Sequence, residues 1–373
     1  MNKEDRLPQL DALRGLAALA VFWGHAFLIM PVKPVLLQAV GRTPLHFFYD
    51  GDAAVLLFFV LSGFVLNLRY VQTSGYPRHW VATFLIRRFF RIYPAFFVAI
   101  GLGLLLRHFL YDPSSASVFS DWFSRYWRHP MLLKDFLRLC TLIGPGINIP
   151  QIDPPMWSLV YEMRISLIFP LVIWITNLER KPVGDFILLA AVYAACFILC
   201  HNRHFVYLPL FVLGAVCAKQ IDWLKSLLSR SNRLAKTAWM LAALVLYQVA
   251  WFRHDYDSSP SHLNYLLNQI TGVGAAAFII GCVALVRIRA LLNQRLFQFI
   301  GRTSYSFYLV HLVLMFALAP LIYRATNSLA ACWFSVLVLS YLLAMLIFEA
   351  VELPMIRQGN KVAAAFVARF QKG

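Results

Sequence analysis

LDALRGLAALAVFWGHA (Leu10–Ala26) is an apolar stretch whose ionisable residues are Asp11, Arg14 and His25. With its apolar flank it reaches the length of about 20 residues that a helix needs to cross the hydrocarbon core of a bilayer. Similar stretches recur along the chain. Hydrophobic residues make up 60% and charged residues 14% of the sequence, against roughly 45–50% and 25% in soluble domains. The sequence therefore predicts an all-α polytopic membrane protein.

About ten transmembrane helices are predicted. We place them near 10–30, 52–70, 92–110, 156–176, 185–200, 204–218, 238–252, 269–287, 303–323 and 330–351. Only one connection is long, and we expect residues 111–155 to form an extracytoplasmic loop. Without internal repeats or a second soluble region, residues 1–373 are predicted to form a single transmembrane domain.

The distribution of lysine and arginine predicts the orientation of the chain. Most of the 34 basic residues fall in segments that face the cytoplasm if the N-terminus lies inside, as the positive-inside rule requires. An even number of spans then leaves both termini cytoplasmic. The net charge of +17 is explained by this bias and by contact with anionic membrane lipid, so it indicates no nucleic-acid partner. Asp11 and Arg14 interrupt the first apolar region, which argues against a cleavable signal peptide.

The cysteines indicate neither a disulfide framework nor a metal site. The six cysteines, at 140, 196, 200, 217, 282 and 332, lack the spacing of such sites, so no metal is predicted. Cys196 and Cys200 share a helix face, and we interpret both as small packing residues.

Arg14 and His25 share one face of the first span. Eleven positions amount to three turns plus about 20°, and they separate the two residues by about 16 Å along the axis. Asp11 lies close enough to Arg14 to pair with it, and Gly15 allows close approach of another backbone. Snorkelling of Arg14 and simple packing of His25 are the alternatives to an anion site and a base.

Two further segments carry polar groups at predicted membrane boundaries. In RRFFRIYP, Arg88 and Arg91 lie on one helix face and form either a positive-inside anchor or a phosphate clamp. In MWSLVYEM, Glu162 lies near a helix N-terminus, where the dipole favours a carboxylate. Beside it, Trp157, Ser158 and Tyr161 would suit a sugar, which uses an aromatic face together with hydrogen-bonding edges.

Together these motifs resemble those of the acyltransferase family 3. The first span resembles its signature, an arginine and a histidine separated by ten residues. Further similar segments are FFVLSGFVL (58–66), RRFFRIYP (87–94), MWSLVYEM (156–163), GRTSYSFYLVH (301–311) and FEAVELP (348–354). The resemblance covers residues 7–354 in order. It departs from the pattern of many members at Met163, where a second acid is common, so only Glu162 is carried over.

The resemblance implies transfer of an acyl group, usually acetyl, from cytoplasmic acyl-CoA to a hydroxyl of a glycan or glycolipid at the outer face of a bacterial inner membrane. Arg14, Arg88 and Arg91 would bind acetyl-CoA or another acyl-CoA. His25 would be the general base, and Glu162 would orient it or bind the sugar. The implied form is the stand-alone one, without an SGNH-type esterase domain.

The roles of the remaining motif residues stay open. Ser62 would be a covalent nucleophile or, with Gly63, part of a close helix contact. His311 would be a second base or a hydrogen-bonding link between helices. Tyr305 and Glu352 are expected to support the site. From another class, a multi-pass transporter or flippase for a glycan, lipid intermediate or small anion also fits sparse buried charges.

Overall fold

The computed structural model describes residues 7–30, 43–71, 76–116, 118–128, 131–143, 152–178, 181–252 and 261–371. Within these ranges the regular secondary structure is helical and contains no strand. The all-α prediction is confirmed for this part of the chain. Helices are the expected solution because each one satisfies its own backbone hydrogen bonds where water is absent.

Twelve helices of ten or more residues occur among the described residues. They are α1 Pro8–Leu28, α2 Gly51–Val71, α3 Trp80–Leu110, α4 Trp157–Thr176, α5 Pro182–Ile198, α6 Arg203–Lys219, α7 Ile221–Arg230, α8 Arg233–Tyr247, α9 His262–Ala284, α10 Ser304–Thr326, α11 Leu329–Ile347 and α12 Leu353–Gln371. A π-helix, Phe348–Glu352, joins α11 to α12. Between α3 and α4, short helices cover Pro113–Ala116, Asp121–Ser124 and Leu133–Thr141, and a 3-10 turn covers Pro154–Met156.

Six helical segments in the described ranges are long and apolar enough to cross a membrane. They are Gly51–Val71, Trp80–Leu110, Pro154–Thr176, His262–Ala284, Ser304–Thr326 and Leu329–Phe370. A pair bent by 69°, Phe205–Lys219 with Ile221–Arg230, would make a seventh, and the 17-residue α5 is apolar but shorter. An integral membrane protein is therefore supported, whereas ten spans and cytoplasmic termini are not confirmed.

The helices differ from the predicted spans in three places. Helix α3 begins at Trp80, so Arg87, Arg88 and Arg91 lie inside it and not at its start. Helix α1 is long enough to span but is not one of the six, because its charged and histidine residues lower its mean hydropathy. The 15-residue α8 is shorter than a span needs.

By its internal contacts the chain divides into two compact units. The first comprises Met1–Ala17, Asp52–Tyr76 and Ile168–Gly301. Inside it, α2 and α6 pack backbone against backbone: a Cβ added at Gly63 would lie 2.0 Å from the Phe211 carbonyl oxygen, and one at Gly214 would lie 2.0 Å from that of Val60. This contact agrees with the packing interpretation of the Ser62–Gly63 pair.

The second unit comprises Ala18–Gly51, Pro77–Leu167 and Arg302–Gly373. Its hydrophobic core brings together Phe96 of α3, Leu159 of α4, Leu309 of α10 and Ile347 of α11. Ile152, from the end of the predicted extracytoplasmic loop, belongs to the same core. The loop is therefore anchored in the unit that carries most of the predicted site residues.

Candidate active site

His25 and His311 are in direct contact within the second unit. The Nδ1 atom of His25 lies 3.1 Å from Nε2 of His311, and the two rings stack at 26°. His25 is half-buried near the end of α1, whereas His311 is fully buried in α10. Two histidines 286 positions apart are thus joined by the fold.

The contacts of His311 determine which ring nitrogens carry protons when both rings are neutral. Its Nδ1 atom lies 2.9 Å from the carbonyl oxygen of Tyr308 and 3.2 Å from that of Phe307. A carbonyl oxygen only accepts, so we assign the proton to this nitrogen. Nε2 of His311 then accepts from Nδ1–H of His25. The assignment leaves a lone pair on Nε2 of His25.

An aromatic side chain from the long loop covers His25. Trp122, on the short helix Asp121–Ser124, stacks on the His25 ring at 20° with centroids 5.6 Å apart. Tyr126 lies against Trp122 at 5.0 Å, and Phe316 of α10 lies 6.1 Å away. Trp122 is not among the site residues that the sequence predicts, although the density of aromatic residues in this loop was an available signal.

A second cluster joins α3 to α4. Nη2 of Arg88 lies 2.6 Å from Oε1 of Glu162, and the same guanidinium donates to Oγ of Ser166 at 3.0–3.1 Å. The Arg88 side chain is 9% exposed and that of Glu162 is 22% exposed. The sequence predicts separate roles for Arg88 and Glu162, and the structure joins them as an ion pair.

The neighbouring turn of α3 contacts the π-helix and α10. Glu352 is 2% exposed and accepts from Oγ of Ser306 at 2.7 Å. Nη1 of Arg91 lies 3.9 Å from the same carboxylate, and the Arg91 side chain is 42% exposed. The hydroxyl of Tyr305 donates to the carbonyl oxygen of Ile92 at 2.8 Å. A π-helix often marks a functional position in a helix, and here it carries a buried carboxylate.

In the segment MWSLVYEM, the serine is buried between helices, whereas the two aromatic residues are only half-buried. Ser158 is buried, with its Oγ 2.8 Å from the Tyr308 hydroxyl, and both oxygens lie within hydrogen-bond distance of the Pro155 carbonyl oxygen. Ser158 therefore ties α4 to α10. Trp157 and Tyr161 are half-buried and contact each other edge to face at 5.9 Å.

The remaining predicted residues belong to the first unit. Nη1 of Arg14 lies 2.8 Å from Oδ1 of Asp11, so the predicted pairing is confirmed. The close approach expected at Gly15 is also confirmed, because an added Cβ would lie 2.7 Å from backbone atoms of Ile300 and Gly301. Ser62 is half-buried within α2.

Asp153 is a buried carboxyl that is not among the site residues predicted from the sequence. It is 0% exposed, and neither carboxylate oxygen has a hydrogen-bond partner among the described residues. Burial raises the pKa of the Asp153 carboxyl well above its usual value, which favours the neutral acid. In the sequence, an acid before two prolines in a polar loop resembles an exposed turn residue. Its burial becomes visible only in the tertiary structure.

Comparison with known proteins agrees with the motifs. A family model described as an acyltransferase domain matches residues 7–349, a range that includes every predicted site residue except Glu352. The acyltransferase MdmB of Streptomyces mycarofaciens is 28% identical over 327 residues, which cover 83% of this chain and 79% of that protein. No solved structure matches the chain significantly. The chain belongs to the acyltransferase family 3 and is an acyltransferase.

Proposed function

We propose that this acyltransferase transfers an acyl group, most simply acetyl, from cytoplasmic acyl-CoA to a hydroxyl of a glycan or glycoconjugate. The transfer would take place at the outer face of a bacterial inner membrane. The observation that carries the proposal is the 3.1 Å contact of half-buried His25 with His311, from which a lone pair is assigned to Nε2 of His25. An unactivated alcohol is a poor nucleophile at neutral pH, so its acylation needs a base in this position.

The proposed step is direct transfer in a ternary complex. The acceptor O–H donates its proton to Nε2 of His25 as its oxygen attacks the thioester carbonyl carbon. The C–S bond then breaks, and the CoA thiolate receives this proton from the imidazolium and leaves as the free thiol. His311, which accepts from Nδ1 of His25 at 3.1 Å, orients the base.

The donor would bind through its phosphate groups. Arg91 has the exposed guanidinium that such binding needs. Arg88 is buried and already bound to Glu162 and Ser166, which favours a role in positioning Glu162 over direct contact with phosphate. For Arg14, in the first unit, donor binding stays the prediction made from its place in the first span.

The acceptor would approach His25 along the aromatic side of the site. Trp122 lies on the His25 ring, and half-buried Trp157 and Tyr161 offer further aromatic surface in the same unit. Sugar rings bind well to such surfaces because an aromatic face covers their C–H groups while hydroxyls reach polar edges. The acceptors that this chemistry suits include a cell-surface polysaccharide, a periplasmic glucan, peptidoglycan and a small glycosylated metabolite.

The topology that this function needs has about ten spans with both termini in the cytoplasm. In that arrangement α1 runs outward from Arg14 to His25, and residues 111–155 face the extracytoplasmic side. The donor would then enter from the side where acyl-CoA is made. The family assignment disfavours the transporter or flippase alternative.

The test compares His25→Ala with His108→Ala in a strain that lacks the gene. His108 is an exposed histidine near the end of α3 and serves as the matched control. Mass spectrometry of extracted glycans should show acyl groups restored by wild type and His108→Ala, and absent with His25→Ala. Purified His25→Ala should still bind coenzyme A. Normal acylation by His25→Ala would overturn the assignment of the base, and an unchanged glycan profile in the deletion strain would overturn the proposed acceptor class.

A further inference from the structure

We propose that Cys200, His201 and His262 form a binding site for a divalent transition-metal ion, with zinc as the ion that fits best. All three residues belong to the first unit. One potential ligand atom from each lies within 4.8 Å of the others. Sγ of Cys200 is 3.2 Å from Nδ1 of His262, and the rings of His201 and His262 meet edge to face at 4.9 Å.

These distances are close to those of a zinc site. Zinc binds thiolate sulfur at about 2.3 Å and imidazole nitrogen at about 2.0–2.1 Å, so two ligands of a tetrahedral ion lie about 3.3–3.6 Å apart. The Cys200–His262 pair is already near that separation. His201 is exposed, and a side-chain movement of about 1 Å would bring its nitrogen into range.

The fold positions two of the ligands independently of a metal. Cys200 follows α5, where its N–H donates to the Phe197 carbonyl oxygen. His262 is the first residue of α9, whose N-terminus is capped by Oγ of Ser261. The hydroxyl of Tyr265 donates to the Tyr193 carbonyl oxygen at 2.8 Å and so ties α9 to α5. Both ligands therefore stand on helix ends that are already joined.

A bound cation would compensate the charge that Cys200 carries as a metal ligand. Cys200 is 0% exposed and packs with Cys196, Val206 and Tyr265. A thiolate among apolar groups is disfavoured unless a positive charge accompanies it. A bound divalent ion supplies that charge: the metal–sulfur bond forms, the thiol proton passes to solvent, and both histidines bind as neutral imidazoles.

The ligand set also selects the kind of ion. Thiolate and imidazole suit zinc and other borderline or soft metals, whereas magnesium and calcium prefer oxygen ligands. His201 and His262 are exposed, which leaves the fourth position open to water. The cysteine spacing did not indicate this site because His262 lies 62 positions from Cys200. The bound ion would hold the end of α5 against the start of α9. This metal site does not depend on the proposed acyl-transfer function.

The test uses the full-length protein, purified through a tag without histidines, stripped with a chelator and titrated with zinc alone. We expect one zinc ion per chain. Cys200→Ser and His201→Ala should weaken zinc affinity by at least about tenfold. Cys196→Ser, the matched control one helical turn earlier, should leave the affinity unchanged. His201 is exposed, so His201→Ala keeps the test decisive if Cys200→Ser fails to fold.

Cobalt provides a second, spectroscopic readout. Cobalt-loaded wild type and Cys196→Ser should show the near-ultraviolet thiolate-to-cobalt charge-transfer band, and Cys200→Ser should lose it. The proposal is overturned if stripped protein takes up no zinc from a buffered micromolar solution. It is also overturned if the band survives in Cys200→Ser.

Discussion

At the scale of single residues, the hydrogen bond from His25 to His311 decides which nitrogen of the His25 ring can accept a proton. Glutamine at position 311 would place an amide oxygen near the present Nε2 atom and could still accept from Nδ1–H of His25. We expect His311→Leu to lower the rate of acyl transfer by about 10²-fold, because the base loses its orientation. His311→Gln should lose less than about tenfold. The measurement is the initial rate of radiolabelled acetyl transfer from acetyl-CoA in isolated membranes.

The apparent KM for acetyl-CoA separates a positioning role from damage to the fold. It should stay unchanged in both variants, since His311 is buried and is bound to His25 and to backbone carbonyl oxygens. Equal losses in the glutamine and leucine variants would show that His311 acts by packing alone.

The contribution of the ion pair between Arg88 and Glu162 to stability can be tested by removing one partner and then both. Loss of one partner leaves the other charge with poor solvation, and we expect Arg88→Met to lower the free energy of unfolding by about 3 kcal/mol. This lies at the lower end of the usual range, because the Glu162 side chain is 22% exposed. The double variant Arg88→Met, Glu162→Leu should recover much of the loss. Thermal unfolding in detergent measures wild type, the single variants Arg88→Met and Glu162→Leu, and the double variant.

Arg302→Met is the matched control for that series, because Arg302 is exposed. It should change the free energy of unfolding by less than about 0.5 kcal/mol. Additive effects of the Arg88 and Glu162 substitutions, with no recovery in the double variant, would argue against energetic coupling of the pair.

At the scale of helices, glycine decides how closely α2 and α6 approach. A Cβ at Gly63 would lie 2.0 Å from a backbone oxygen of α6, which cannot move aside as a side chain would. Gly63→Ala should therefore destabilise the protein by about 1–3 kcal/mol or more. Gly101→Ala is the matched control, because no atom outside the adjoining backbone of its own helix lies within 4 Å of its added Cβ among the described residues. Alanine there should be neutral or stabilise α3 by up to about 1 kcal/mol.

Both glycine variants are compared by the midpoint of thermal unfolding in detergent, which is detected as the loss of monodisperse protein. A midpoint for Gly63→Ala equal to that of wild type would contradict the backbone contact. Both residues lie inside apolar helices, so hydropathy alone predicts the same outcome for them. Their different environments come only from which helix faces them.

At the scale of the whole molecule, the proposed orientation can be tested by labelling introduced cysteines with a membrane-impermeant maleimide. In a Cys140→Ser background, Arg128→Cys in the long loop should react in intact cells. Ser229→Cys, near the end of α7, should react only after the cells are made permeable. Both positions are exposed in the structure. The opposite pattern would reverse the orientation that the basic residues predict.

The sequence was most informative about features that depend only on residues close together in the chain. Apolar stretches predicted helices because a helix satisfies its backbone within one segment. The Asp11–Arg14 pair and the close approach at Gly15 follow from helical spacing and from the lack of a side chain, and the structure confirms both. The acyltransferase assignment followed from short motifs in order along the chain, and the family match confirms it.

Contacts between segments that are distant in the chain could not be predicted from the sequence. The sequence marked His25 and His311 separately, and only tertiary structure put their nitrogens 3.1 Å apart. In the same way it brought Trp122 onto the His25 ring, paired Arg88 with Glu162 and buried Asp153. Helical periodicity describes which residues share a face, but it carries no information about which other helix packs there. The sequence by itself therefore determined that this is a helical membrane acyltransferase, and the packing of its helices decided which polar side chains meet.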